Sequence, residues 1–341
     1  MDPFKKRKLG PTSVELPQMG FGGAPLGDLF TVVPDSDAEA TLNAAWDGGI
    51  RYYDTAPWYG TGQSEHRMGR MLYRKSEPFA FSTKVGRRLK RPVDAAAFAA
   101  KPRLWAGGLP FEVVFDYSYD GIMRSYEDSL QRLGFLHIDM LIIHDLDFMY
   151  HKTEPRVAAY LGQLATSGFR ALEELKSAKL IGAIGAGVNE LGMMPRFLDL
   201  FDMDFFMLAM RYTLGDHSAL AKEILLCEKR GVGFVIAAVF SSGLYATGPV
   251  PGAKFNYEDP TPAELDRARK IEAVCKRHGV TLASAALQFP LHHPNVASVI
   301  PGGFKPEHVK ANIESLKANI PDALWHELKH EKLIAEEAPT P

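Results

Sequence analysis

The chain has 341 residues, of which 46% are apolar and 23% are charged, so it can bury a large core, and α/β barrels reach this length as one domain. Its 39 basic and 41 acidic residues leave a net charge near −2, and the longest basic run is KKRK at residues 5–8, which argues against nucleic acid or an anionic membrane as a partner. No stretch of 18 apolar residues occurs and the first residues do not read as a secretion signal, so we expect a soluble, cytoplasmic protein.

Short β-branched or aromatic runs alternate with segments of helical period, a pattern typical of a parallel sheet with crossover helices. The predicted strands are residues 18–23, 50–54, 79–85, 138–144, 181–187, 205–211, 233–239 and 296–301. The helical segments that follow them are residues 37–48, 64–74, 119–133, 168–179, 190–201, 217–230, 261–278 and 306–317. Eight such pairs close naturally into a (β/α)8 TIM barrel, which we predict as a single domain over residues 1–341.

Two segments lie outside these pairs. In residues 4–16, apolar and polar residues alternate on either side of a Gly-Pro-Thr-Ser turn, which predicts a small hairpin that caps the bottom of the barrel. Residues 322–333 predict an added C-terminal helix. The alternative fold is an open sheet with a Rossmann site, which requires G-x-G-x-x-G after its first strand. Here Pro25 stands where the third glycine belongs, and no Gly-Lys pair forms a P-loop, so the barrel is favoured.

Three ionisable residues interrupt the ends of otherwise apolar strands: Asp54 after the second, Lys84 near the end of the third and His144 at the end of the fourth. Any one of them alone could be a hydrogen-bonded core residue or a capping group. In a barrel, however, the carboxyl ends of the strands converge on one mouth, where barrel enzymes carry out their chemistry. The three positions together therefore indicate an active site.

Tyr59 follows Asp54 by a loop of four residues, which can fold the tyrosine back over the same mouth. A free phenol has a pKa of about 10, and an adjacent cation such as the Lys84 ammonium favours its ionised form. We therefore expect Tyr59 to act as a general acid and base. Asp54 would hold Lys84 charged, and His144 would hydrogen-bond the substrate oxygen.

Four motifs, YYDTAPWYGTGQSEHRMGRML, STKVG, IIHDLD and SVIPGGFKPEHVKANI, resemble the aldo-keto reductases in order and spacing, over about residues 8 to 320. That resemblance implies a β/α barrel that binds a nicotinamide cofactor without a Rossmann domain. It also implies a catalytic tetrad on the same four residues, Asp54, Tyr59, Lys84 and His144.

The resemblance further implies a set of cofactor-binding residues, although for the glycines a simple tight turn is an alternative. They are Gly22, Gly23, Asp54, Asn189, Ser241, Gly243, Leu244, Gly302, Lys305, His308 and Asn312. The family's usual Ser-Asn pair after strand five is altered, because Gly187 stands at the serine position and Asn189 comes one place late. Basic residues are few after strand eight, so we expect NAD to be preferred over NADP.

Within the family, the segments GAGVNE, AMRYTL and SSGLYATG are similar to bacterial aldose 1-dehydrogenases, including L-fucose and D-threo-aldose dehydrogenases, and to a pyridoxal 4-dehydrogenase. The expected reaction is the oxidation of an aldose at C1 to a lactone. The alternatives are pyridoxal oxidation, general aldehyde or ketone reduction, and a non-enzymatic sensor or subunit that binds the cofactor. A small-molecule substrate and a monomer or weak homo-oligomer are expected, and the predicted substrate contacts are Trp58, Asp145, Phe148 and Arg211.

Two other segments are notable. Residues 86–118 form a long stretch, rich in proline, glycine and aromatic residues, that predicts either a substrate lid over the mouth beside Trp58 or a packing flap. HELKH, residues 326–330, matches the H-E-x-x-H zinc pair of metalloproteases. No histidine follows to complete a ligand set, so we interpret it as a charged surface helix and expect no metal.

Overall fold

The structure of the protein is a computed structural model that describes residues 1–341. Its strands are β1 (Lys6–Lys8), β2 (Glu15–Pro17), β3 (Phe21–Gly22), β4 (Tyr52–Asp54), β5 (Ala80–Val85), β6 (Arg87–Lys90), β7 (Glu112–Phe115), β8 (Met140–Ile143), β9 (Ala183–Val188), β10 (Phe205–Ala209), β11 (Gly233–Ala237) and β12 (Val296–Val299).

Most of the helices surround the sheet and bury an apolar face. The helices are α1 (Asp35–Asp47), α2 (Gln63–Leu72), α3 (Ala95–Ala99), α4 (Tyr119–Leu133), α5 (Phe148–His151), α6 (Glu154–Gln163), α7 (Phe169–Ser177), α8 (Met193–Leu200), α9 (Leu225–Lys229), α10 (Leu244–Thr247), α11 (Pro262–Arg277), α12 (Leu282–Gln288), α13 (Pro306–Lys317) and α14 (Asp322–His330). Helix α3, by contrast, has no buried residue. None of them is both long and apolar enough to span a membrane.

Eight parallel strands form the barrel in the order β3, β4, β5, β8, β9, β10, β11 and β12. The two outer strands meet, because the Val299 N–H donates to the Gln18 carbonyl at 2.9 Å and the Gly20 N–H donates to the Val299 carbonyl at 2.9 Å. A parallel bridge between Gly22 and Gly302 continues this contact. The predicted barrel is therefore confirmed, and each of the eight predicted strands corresponds to one observed strand with shorter bounds.

The hairpin of β1 and β2 closes the amino end of the barrel. Leu9 and Leu16 are fully buried and join the apolar cluster inside the barrel, which also contains Tyr52 and Phe205. Since the predicted hairpin lies at the end where the strands begin, the opposite end remains available for a site.

Several elements differ from the sequence-based expectation, among them the short helices α5 and α10 and the ten-residue α6, which were not predicted. The predicted helix over residues 217–230 is instead a π-helical turn, Leu220–Ile224, followed by the short α9. Helix α12 was missed because six of its seven residues, all but Ala283, are buried, which leaves no polar face and no helical period. The stretch 86–118 contains the antiparallel hairpin β6–β7 and helix α3.

Candidate active site

Asp54 and Lys84 form a buried ion pair at the carboxyl ends of β4 and β5. The Lys84 ammonium donates to Asp54 Oδ2 at 2.7 Å and to the Thr55 carbonyl at 2.9 Å, while the Ser82 hydroxyl donates to Asp54 Oδ1 at 2.7 Å. The side chains of Asp54 and Lys84 are 2% and 3% exposed. Burial raises the pKa of Asp54 above its ordinary value, although Lys84 and Ser82 oppose the shift. The pair holds the ammonium in one place at the mouth.

Tyr59 lies over this pair on the turn between β4 and α2. The Lys84 ammonium lies 4.8 Å from the centre of the tyrosine ring, and the His144 ring centre is 5.8 Å away. Gly60 follows Tyr59 with φ of +64°, and a side chain there would meet the Gly27 carbonyl at 2.7 Å, so only glycine permits this turn. The sequence therefore brings all four predicted residues together at one end of the barrel.

The pKa of the Tyr59 phenol differs from the sequence-based expectation. We expected the Lys84 cation to lower it, but burial raises it well above its ordinary value, and the Asp54 and Asp145 carboxylates raise it further. Burial is the main cause, and the Asp54 carboxylate that pairs with Lys84 adds to it. In this state Tyr59 is a protonated acid at neutral pH.

His144 follows β8, and its N–H donates to the Val85 carbonyl at 3.0 Å, which aligns it with the end of β5. Its Nε2 lies 3.2 Å from Asp145 Oδ2, and its Nδ1 is buried without a partner. Burial and then the Arg87 cation lower the pKa of His144 to about 3, against the opposing effect of Asp145. The imidazole is therefore neutral and can donate one hydrogen bond and accept another.

Aromatic side chains form a wall beside these residues. Trp58 packs edge-on against Trp105 and Tyr150, with ring centres 5.1 Å and 5.2 Å apart, and lies 5.9 Å from the His144 ring. Trp105 also packs on Tyr59 at 5.5 Å. Because Trp105 belongs to the stretch 86–118, that stretch reaches the mouth beside Trp58.

The other predicted substrate contacts, Asp145, Phe148 and Arg211, have partners within the protein, and their contact with substrate stays a prediction. Asp145 accepts from Arg87 and Asn189, and Arg211 donates to the Asn189 carbonyl at 2.9 Å and to Asp216 at 2.9 Å. The Phe148 ring lies against Arg196, 5.3 Å from its guanidinium, so Tyr150 rather than Phe148 joins the wall. These polar groups are engaged within the protein.

Sequence reasoning missed Arg87, which was read as part of the long loop after strand three. Its guanidinium donates to Asp145 Oδ2 at 2.9 Å and lies 4.3 Å from the Trp58 ring centre. A signal for it is present in the sequence: Arg87 is a charged residue only three places after Lys84, and the apolar Leu89 follows soon after it. Arg87 links the aromatic wall to the residue beside His144.

A family model described as "Aldo/keto reductase family" matches residues 18–331. The chain belongs to the aldo/keto reductase family. It is 40% identical to pyridoxal 4-dehydrogenase of Microbacterium luteolum, over 97% of this chain and 98% of that protein. It is 38% identical to D-threo-aldose 1-dehydrogenase of a Pseudomonas species, over 96% of each. The holo form of an aldo-keto reductase from Bacillus halodurans superposes with a TM-score of 0.73 at 24% identity, over 99% of this chain and 100% of that one, which supports the barrel fold.

Members of the aldo/keto reductase family use nicotinamide cofactors, and the turn after β11 has features that could bind one. Ser241 has a fully buried hydroxyl without a hydrogen-bond partner, which is a group that a ligand can satisfy. Gly243 adopts φ of +114° with open space on its Cβ side. The Leu244 side chain is fully buried in the core, so any contact from this residue would come from its backbone. These observations fit a ligand that lies against the turn.

The predicted cofactor residues of the aldo/keto reductase near β3 and β12 have packing reasons of their own. A Cβ on Gly22 would meet the Ile300 carbonyl at 2.7 Å, one on Gly23 would meet the Asp54 carbonyl at 2.8 Å, and one on Gly302 would meet Pro25 at 2.7 Å. The Asn312 amide donates to the Gly302 carbonyl at 3.5 Å. Close packing by itself requires glycine at these positions, and their contact with a cofactor stays a prediction.

The side-chain amide of Asn189, which was predicted to bind the nicotinamide carboxamide, is already hydrogen-bonded within the protein. Its Nδ2 donates to Asp145 Oδ1 at 2.9 Å and to Asp147 Oδ2 at 2.8 Å. A Cβ on Gly187, at the usual serine position, would meet Asp145 Oδ1 at 3.3 Å. Contact between Asn189 and a nicotinamide carboxamide remains a prediction, and it would require the amide to use its oxygen or to leave one of these carboxylates.

The HELKH segment coincides with α14, where His326 and His330 are exposed and Glu327 binds Arg277 at 2.7 Å. Because no third histidine, cysteine or carboxylate joins these two histidines to complete a ligand set, we expect purified protein to contain no stoichiometric zinc. The double variant His326→Ala/His330→Ala should keep wild-type turnover. Elemental analysis and steady-state kinetics check both results, and one equivalent of zinc that disappears in the double variant would contradict them.

Proposed function

We propose that this aldo/keto reductase oxidises a cyclic hemiacetal to a lactone with NAD or NADP as the oxidant. The observation that carries the proposal is the cluster of Asp54, Lys84, Tyr59 and His144 at the carboxyl end of the barrel, beside the aromatic wall. In the reaction the hemiacetal carbon loses a hydride and its hydroxyl loses a proton, so that a carbonyl forms. The protein has to position the carbon and remove the proton.

Each member of the cluster has one role in this proposal. When bound, the oxidised cofactor supplies the hydride acceptor and a positive charge. Tyr59 takes the hydroxyl proton, and Lys84, held by Asp54, stabilises the phenolate from which Tyr59 does so. Neutral His144 has one N–H, on the Nε2 that lies 3.2 Å from Asp145 Oδ2, and it orients the substrate oxygen by sharing this hydrogen with it. An intact cluster of this kind supports an enzyme rather than a cofactor-binding sensor.

Pyridoxal is the first substrate to test. Its aldehyde and neighbouring hydroxymethyl group form a cyclic hemiacetal, and its flat ring can stack on Trp58 or Tyr150. The polar groups that a sugar's hydroxyls would need, on Asp145, Asn189 and Arg211, are engaged with each other and with Asp147 and Asp216. A ring with few hydroxyls therefore fits this mouth with less disruption than a sugar, which reverses the order expected from the sequence.

An aldose is the second candidate. Its lactol form undergoes the same oxidation, its apolar face can also pack on Trp58, and one relative with 38% identity is a D-threo-aldose 1-dehydrogenase. The two substrates differ in how many hydrogen bonds they require. A sugar would need hydrogen bonds from groups that now bind each other, such as Asp145 and Asn189, whereas pyridoxal has fewer hydroxyls to satisfy.

The experiment is a substrate panel with pyridoxal, L-fucose, L-galactose and D-arabinose, assayed with NAD and NADP by the absorbance of the reduced nicotinamide. We expect lactone formation, identified by mass spectrometry, and the highest kcat/KM with pyridoxal. Turnover of aldoses alone would reassign the substrate and leave the reaction in place. Cofactor binding without turnover of any hemiacetal or carbonyl, in either direction, would contradict the enzymatic proposal.

Cofactor preference gives a separate prediction. Lys305 is exposed at the start of α13, while the His308 ring packs edge-on against Phe304 at 4.7 Å. Burial and the Lys305 cation lower the pKa of His308, so it adds no charge for a 2′-phosphate at neutral pH. We expect NAD to bind at least as tightly as NADP, and His308→Arg to tighten NADP binding selectively. Fluorescence titration checks this, and a wild-type NADP dissociation constant about tenfold below that for NAD would reverse it.

A further inference from the structure

Arg87 is a buried cation for which the proposed reaction gives no direct role. Its side chain is 1% exposed, and its guanidinium carbon lies 4.3 Å from the ring centre of Trp58 and 4.0 Å from that of Tyr150. The preceding residue, Gly86, has φ of +94°, and a Cβ there would overlap the Tyr117 ring. The turn after β5 is thus built to direct Arg87 inward, and a cation so placed requires a compensating anion.

Asp145 is that anion, and it lies between Arg87 and His144. Its Oδ2 accepts from the Arg87 guanidinium at 2.9 Å and lies 3.2 Å from His144 Nε2, while its Oδ1 accepts from Asn189 at 2.9 Å. Asp145 has φ of +40°, a left-handed conformation that costs energy for a residue with a side chain. Three partners on one strained carboxylate show that its position is specified from several sides.

Four charged or titratable groups face His144. Arg87 approaches from β6, Lys84 from β5, Tyr59 from the turn after β4, and Asp145 is its neighbour in the chain. Arg87 and Lys84 disfavour a proton on the imidazole, and Asp145 favours one. Lys84 is already paired with Asp54, so Arg87 is the cation that balances Asp145.

We propose that Arg87 is a positioning residue for His144: through Asp145 it fixes the orientation of the imidazole and keeps it uncharged in the substrate-binding state. Without Arg87, the Asp145 carboxylate would pair with a protonated His144 instead. The imidazolium would then be held by Asp145 and would present a charge, rather than a neutral donor, to the substrate oxygen. The catalytic consequence rests on the proposed function, whereas the charge state of His144 does not.

The arrangement also explains why arginine rather than lysine stands at this position. A planar guanidinium can lie against the Trp58 and Tyr150 rings and still donate in its own plane to a carboxylate. A lysine ammonium supplies the charge without the flat faces. Arg87→Lys should therefore keep His144 uncharged but loosen the aromatic wall, which separates the electrostatic role from packing.

The test is an NMR titration of His144 in substrate-free protein labelled at histidine, with the signal assigned by its loss in His144→Gln. In wild-type protein the His144 signal should not titrate above pH 5, since its pKa lies at about 3. In Arg87→Met and in the milder Arg87→Gln we expect the midpoint to rise by about one pH unit or more. In Arg87→Lys, and in Arg87→Met/Asp145→Asn, it should stay low.

Kinetics add a readout that a structural role alone would not move. In Arg87→Gln, kcat/KM should acquire a new acidic limb at the midpoint found by NMR, and the Asp145→Asn second change should remove that limb. A His144 signal that stays at its wild-type position in both single variants would overturn the inference, as would a raised midpoint that persists in the double variant. Absence of turnover in wild-type protein would count against the proposed function alone, because the NMR titration needs no substrate.

Discussion

Tyr59→Phe is expected to lower turnover by about a hundredfold or more, because loss of a general acid or base typically removes that factor. The ring remains, so its packing against Trp105 and the contact with Lys84 persist, and the fold and cofactor affinity should be retained. Steady-state kinetics, a thermal melt and a cofactor titration measure the three properties. Tyr126→Phe is a matched control, since that tyrosine lies on α4 away from the cluster, and its turnover should be unchanged.

The raised pKa of Tyr59 gives this prediction a pH dependence. Oxidation requires the phenolate, and a phenol whose pKa lies well above its ordinary value is mostly protonated at neutral pH. The rate of oxidation should therefore rise with pH into the alkaline range, while reduction, which uses the phenol as an acid, should not. A Tyr59→Phe variant with near-wild-type turnover, or with the same alkaline rise, would remove Tyr59 from the mechanism.

The barrel was predictable from sequence because its strands are buried on both faces and therefore stand out as short apolar runs, such as residues 140–143 in β8. The positions of Asp54, Lys84 and His144 were predictable for the same reason, since ionisable residues interrupt those runs only at their ends. Parallel strands in register then bring the three ends together, and the structure shows this in the pairing of Asp54 with Ser82 and of Lys84 with Ile142.

The electrostatics were not predictable, because they depend on which partners are already taken. Lys84 was expected to lower the pKa of Tyr59, yet burial raises that pKa, and the Asp54 carboxylate, 2.7 Å from Lys84, raises it further. Asp145 and Arg211 are still predicted to contact substrate, but the sequence did not show that each also has a partner within the protein. A sequence shows which groups can form hydrogen bonds, but not how those groups share them.

Packing of the long stretch 86–118 was also beyond sequence reasoning. Its contacts are made with other loops: the Ala106 N–H donates to the Asp28 carbonyl at 2.9 Å, and the Leu109 N–H donates to the Gly60 carbonyl at 2.9 Å. Such pairings have no period and no fixed spacing, so they leave no pattern in the chain. Arg87 was missed for this reason, because its role depends on Trp58 and Tyr150, which lie far from it in sequence.

Lys84→Met is expected to destabilise the fold by about 3–5 kcal/mol, since it leaves the buried Asp54 carboxylate without its cation. The Ser82 hydroxyl alone remains as a donor to that carboxylate. Chemical denaturation measures the change. Lys270→Met is the matched control, because Lys270 pairs with Asp266 on the surface of α11 with side chains 59% and 57% exposed, and its loss should cost less than about 1 kcal/mol.

The loss of folding stability in Lys84→Met should be large at neutral pH and small in acid. Burial already raises the pKa of Asp54, and removal of Lys84 raises it further. A carboxyl whose pKa is higher in the folded than in the unfolded state favours the fold below its unfolded pKa, and that contribution is lost as pH rises through the folded pKa. The variant should therefore approach wild-type stability in acid and fall away toward neutral pH, and Asp54→Asn in the same chain should recover stability at neutral pH. A loss that is equal at all pH values would show that lost packing of the lysine stem, rather than an unpaired carboxylate, causes the destabilisation.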